Sequence, residues 1–183
     1  VKNAAEEIAR DKPSTIILSS PHAPCFRDYV YMADTPVLAG NFAKFGEAGV
    51  ELKFKNNLAM TNRIIEIANA EGIAAGGLEP KVKLTYGIDD RLDHGALVPL
   101  YFIQNELKGV KLVHISTPFL ELKEIFRFGK CIAQAVEESD ERVVYVASGD
   151  LSHRLTESAP AGYHFRGREY DEYLINNLKK ADI

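Results

Sequence analysis

The chain has 183 residues, 46% hydrophobic and 26% charged, with a formal net charge of -4. That balance is ordinary for a folded globular protein and excludes disordered, collagen-like and coiled-coil chains. It supplies no basic footprint for nucleic acid, and no apolar run approaches the roughly 18 residues that a membrane span needs.

In chain order, residues 4–10 read as the end of an amphipathic helix, closed by Lys12-Pro13. Residues 15–19 (TIILS) are apolar and β-branched, the pattern of a strand buried on both faces of a parallel sheet, and they lead into the loop SSPHAPCF. One or two short strands are expected over 29–38, a glycine-rich loop (GNFAKFGEAG) over 40–49 and a strand over 51–54. Apolar spacing predicts a helix over 58–70 closed by Gly72, whereas 76–87 reads as a loop with a strand at 81–86. A helix is expected over 96–107 after DHG, and a strand over 111–115. A further helix over 120–138 places Leu122, Ile125, Phe126, Ile132 and Val136 on its apolar face. Residues 142–147 (RVVYVA) are the clearest buried strand and run into SGDLSH. The last helix, over 167–180, carries Tyr170, Leu174 and Leu178 at i, i+4 and i+8. Strands alternating with helices predict an α/β fold: a mostly parallel central sheet flanked by helices, in a single domain over 1–183. Ligand sites in such sheets lie beyond the carboxyl ends of the strands.

Three of the five histidines fall where such a site would form. His22 follows the first strand, His153 follows RVVYVA, and His94 precedes an apolar helix. If the two strands are parallel neighbours, His22 and His153 share one rim, and His94 can join them from its loop. Asp93 and Asp150 each offer a carboxylate to orient an imidazole. Asp150, Ser148 and Ser152 equally suit helix or turn caps. His114 lies inside a strand and reads as a satisfied core residue, and His164 is uncommitted. Phe26, Tyr29, Phe42 and Phe45 suit an aromatic pocket or the core. Arg27 suits a substrate carboxylate or the surface. Cys25 reads as a ligand, a redox thiol or a small buried loop residue, and Cys131 as core. GNFAKFG lacks the spacing of a phosphate loop, and no HExxH, CxxC or GxSxG is present.

Taken together, SSPHAPCFRDY, GNFAKFG, LDHGALVPLYF and SGDLSHRL resemble the class III extradiol ring-cleavage dioxygenases of the LigB-like catalytic B subunit type. The resemblance runs from about Ile16 to Lys180 and is nearest to the Memo-like branch often joined to an AMMECR domain. It implies a non-haem Fe(II) centre of two histidines and one carboxylate, which leaves room for a catecholic ring and O2. It implies His22 as an iron ligand, His153 as the acid–base histidine, His94 as a further active-site histidine and Asp150 as a pocket residue. It also implies a first iron histidine in an N-terminal strand and an iron glutamate in a C-terminal segment. Neither has a counterpart in this sequence, which begins at Val1 and ends at Ile183. The sheet edge left by that strand would favour a homo-oligomer.

Three functions follow as expectations. The first is an Fe(II)-dependent extradiol dioxygenase cleaving a small aromatic substrate with O2, with no nucleic-acid or membrane partner. The second is a non-catalytic Memo-like metal-binding or redox module, in which zinc or copper could replace iron and Cys25 could join His22 and His153. The third is a hydrolase using Ser20 or Ser148 with His153 and Asp150, for which no nucleophile elbow speaks. Two cysteines and the lack of a basic-plus-apolar leader fit a cytoplasmic setting.

Overall fold

The computed structural model describes residues 1–180. These divide into two compact units, Val1–Ser148 and a second that starts at Gly149. The first unit runs α1 (Lys2–Asp11), β1 (Thr15–Ser20), β2 (Val30–Tyr31), β3 (Val37–Phe42), β4 (Glu47–Lys55), α2 (Leu58–Ala70), β5 (Ala75–Gly76), α3 (Pro80–Tyr86), α4 (His94–Glu106), β6 (Lys111–Ser116), α5 (Leu122–Glu137) and β7 (Val143–Ala147). The second unit contains α6 (Arg166–Lys180).

The fold is α/β, and its centre is a parallel sheet in the order β6-β1-β7. Every residue of β1 is buried, as its unbroken apolar run requires of a central parallel strand. Its side chains alternate between two cores. Ile16 and Leu18 enter one with Leu38, Leu52, Leu97 and Leu100, and Ile17 enters the other with Ile64, Val113, Phe128 and Ile132. Strand β6 is pinned on its far side by backbone hydrogen bonds from Ala33 to His114 and from Asn57 to Leu112. Glu141 ties the start of β7 to its neighbours by accepting from Thr15, Ser14, Asn57 and Lys111. Burial works to raise the pKa of this carboxyl, but those four donors hold it at about 2.

Four expectations need correction. The segment 81–86 lies within a short helix, α3: Pro80 supplies its first turn and Gly87, at φ 62°, its left-handed exit. GNFAKFG is the tip of an antiparallel hairpin formed by β3 and β4, whose chain reverses through a 3-10 turn at Ala43–Phe45. Helix α5 buries Phe128, Cys131, Ile132 and Ala135 and leaves Leu122 and Phe126 exposed, so its apolar stripe is rotated from the one the spacing suggested. Strand β7 is an outer strand and only half-buried, with Tyr145 49% exposed, because β1 alone pairs with it among the described residues.

In the second unit, the loop after Gly149 is held to α6 by the Asp171 carboxylate, which accepts from the Ser152 backbone N–H at 2.7 Å. Tyr170 and Leu178 are exposed and Leu174 is half-buried, so the i, i+4, i+8 row is not a closed core face. No helix among the described residues is long and apolar enough to cross a membrane.

Replacing Ile17 by Ala would leave a cavity at the centre of β1. The expected cost is about 2–5 kcal/mol of unfolding free energy, read from the midpoint of a denaturant melt at unchanged m.

Candidate active site

The site forms at the carboxyl end of β1. The strand ends at Ser20, and His22 stands two residues on, with its backbone N–H donating to Ser20 Oγ at 3.2 Å. Ser20 Oγ in turn donates to Asp93 Oδ1 at 2.5 Å. Asp93 is the N-cap of α4 and accepts from the Ala96 N–H, so His94 opens the first helical turn. One carboxylate thus holds both segments, and it brings the His22 and His94 rings to 3.9 Å between centroids, tilted by 35°. Gly95 is required by this closeness. A Cβ there would stand 2.5 Å from Ser20 Oγ and 3.0 Å from both Asp93 Oδ1 and His22 Cδ2.

Asp93 does not orient His94 through its second oxygen, as the sequence suggested. That oxygen lies 3.1 Å from Nε2 of His114, on β6. Burial works against the Asp93 carboxylate, but His114, Ser20 and the Ala96 N–H outweigh it and hold its pKa at about 2. His114 is buried in the strand and satisfied, as expected, and the partner that satisfies it is this acid.

A second irregularity also serves the site. Pro99 lies inside α4 and has no N–H to give the carbonyl of Gly95, four residues earlier. Ser148, at the end of β7, donates its Oγ to that carbonyl at 2.7 Å. Both serines proposed as nucleophiles are therefore engaged as donors, Ser20 to a carboxylate and Ser148 to a backbone oxygen.

His22 and His94 line a cavity of about 470 Å³, a size suited to a small ligand. Phe45, Lys44 and Asn41 from the β3–β4 hairpin and Asp89 and Arg91 from the loop before α4 also line it. The Phe45 ring lies 5.5 Å from that of His94. Among the four aromatic residues considered for the pocket, Phe45 reaches this cavity. Phe26 packs edge-on against Tyr29, and Phe42 against Tyr101. Arg27 is exposed and does not line it. Cys25 gives its Sγ–H to the Thr117 carbonyl at 2.9 Å, and burial pushes its thiol up, away from the thiolate that a metal needs.

His153 and Asp150 belong to the second unit. His153 is 65% exposed, and its Nε2 stands 3.7 Å from Asp150 Oδ2. Nearby, the His164 backbone N–H donates to the Arg154 carbonyl at 3.0 Å.

A family model described as the catalytic LigB subunit of aromatic ring-opening dioxygenase matches residues 1–183. The chain belongs to the LigB family. It is 40% identical to the Clostridium acetobutylicum protein CA_C1420 over 98% of this chain and 38% of that protein. It is 25% identical to an Escherichia coli 2,3-dihydroxyphenylpropionate/2,3-dihydroxicinnamic acid 1,2-dioxygenase, over 92% of this chain and 53% of that enzyme. The enzyme of the same name from Rhodococcus globerulus matches 47% of the chain, again at 25% identity. This LigB chain therefore spans between 29% and 53% of the length of these curated relatives.

Two predictions follow. Gly95→Ala forces apart Ser20, Asp93 and His22, and is expected to destabilise the fold by about 1–3 kcal/mol in a thermal or denaturant melt. For Asp93, the folded pKa of about 2 lies below the ordinary 3.8. Its contribution to stability is therefore full above about pH 4 and lost as pH falls toward 2. A stability difference of about 2 kcal/mol between wild type and Asp93→Asn at neutral pH should shrink across that window in pH-dependent melts.

Proposed function

We propose that this LigB chain supplies the substrate-binding and acid–base face of an extradiol dioxygenase, which opens an aromatic ring bearing two adjacent hydroxyls by inserting O2. The observation that carries this reading is the His22–His94 stack on the wall of the cavity, in a chain of the ring-opening dioxygenase family. An imidazole is the side chain best suited to take and return a hydroxyl proton near neutral pH. In this reading His94 hydrogen-bonds the ring hydroxyls and Phe45 packs against the ring. His153, with Asp150 beside it, is the proton-transfer pair.

The family's chemistry draws on ferrous iron. Among the described residues no group of three His, Cys, Asp or Glu could hold a metal. These residues do not by themselves fit a three-ligand iron centre. His22 is the ligand this chain would contribute.

The test is oxygen uptake by iron-loaded protein with 2,3-dihydroxyphenylpropionate and simpler catechols, together with metal analysis. Wild type should consume oxygen. His94→Ala and His153→Ala should each lower kcat by about a hundredfold or more with the thermal melt preserved. Tight binding of iron, zinc or copper without oxygen uptake on any vicinal diol would overturn the proposal in favour of a non-catalytic metal-binding module.

A further inference from the structure

We infer that His114 is a positioning residue for the His22–His94 pair, acting through Asp93. Its ring is 3% exposed, on a strand whose neighbouring residues Leu112, Val113 and Ile115 are all buried and apolar. An imidazole at such a place is costly unless a polar partner meets it. Nε2 of His114 and Oδ2 of Asp93 face each other at 3.1 Å, and neither atom has another hydrogen-bond partner among the described residues. Each therefore depends on the other.

The remaining links are short. The other oxygen of Asp93 takes the Ser20 hydroxyl and the Ala96 N–H, and the Ser20 hydroxyl holds the backbone N–H of His22. An apolar side chain at 114 would leave Oδ2 buried without a donor. The carboxylate would then turn or take up a proton, loosening at once the cap of the helix that His94 opens and the turn that carries His22. His114 is not among the residues that line the cavity, so its influence on the site is carried by orientation through Asp93.

The inference rests on the ring-cleavage reading only for its kinetic arm. Two variants separate orientation from bulk. His114→Gln keeps an amide donor near the place of Nε2, whereas His114→Leu keeps volume and removes the donor. In proton–nitrogen correlation spectra of the imidazole rings, the His22 and His94 signals should move in His114→Leu and stay at their wild-type positions in His114→Gln. With an active dioxygenase, kcat should fall about ten- to a hundredfold in His114→Leu, with KM within about twofold and recovery in His114→Gln. Ring signals unmoved in a folded His114→Leu protein would overturn the inference, as would an unchanged kcat. If His114→Leu does not fold, His114→Asn, whose amide is too short to reach Oδ2, takes its place under the same criteria. Moved ring signals in a protein that never consumes oxygen would leave the positioning role standing and remove the ring-cleavage reading.

Discussion

The arrangement depends on one buried carboxylate. Asp93 meets Ser20 from the end of β1, the Ala96 N–H from the first turn of α4, and His114 from β6. A charge in this setting is tolerable only when both oxygens are met, and its low pKa shows how far the donors outweigh the cost of burial. The His22–His94 stack is a by-product of that satisfaction. The rings lie together because the two backbone segments that carry them are fastened to the same acid.

The sheet explains why those segments come within reach. Parallel strands carry all their carboxyl ends to one side, so the loop after β1, the end of β7 and the end of β6 open on one rim. Strand β1 can occupy the middle because its side chains are apolar on both faces, Ile16 and Leu18 toward one core and Ile17 toward the other. Two-sided burial fixes its register, since a one-residue slip would exchange the cores and move Ser20 away from the acid. The β3–β4 hairpin then closes the cavity from the side with Lys44 and Phe45.

Much of this was legible in the amino-acid order. TIILS announced β1, the spacing over 58–70 announced α2, and Asp93-His94-Gly95 marked the start of α4. The rim after β1 places His22, and His94 is able to reach it from the loop before α4, which is where the two rings meet. The role of His114 was not legible, because strand alternation says which face a residue takes but not which acid waits there. GNFAKFG hid a hairpin because glycine and phenylalanine serve loops and strands alike, and only the pairing of Val37–Phe42 with Glu47–Lys55 decides between them. The periodicity over 120–138 does not by itself fix which face of α5 is buried, because a shift of three positions turns the apolar stripe by about 60° while leaving the spacing intact. His153 and Asp150 were read as neighbours, and within their own unit they are.

The proline in α4 has a mechanical consequence. By removing one rung of the helix ladder it leaves the Gly95 carbonyl open, and the Ser148 hydroxyl moors there. Residue 148 is the last of the first unit, so the polypeptide departs from a fixed berth one residue away from His94. The same residue is tied to the sheet, its backbone N–H donating to the Ser19 carbonyl at 3.0 Å, so one position fastens the first turn of α4 to the end of β1. A defect in one helix thereby becomes a fastening between that helix and the central strand of the sheet.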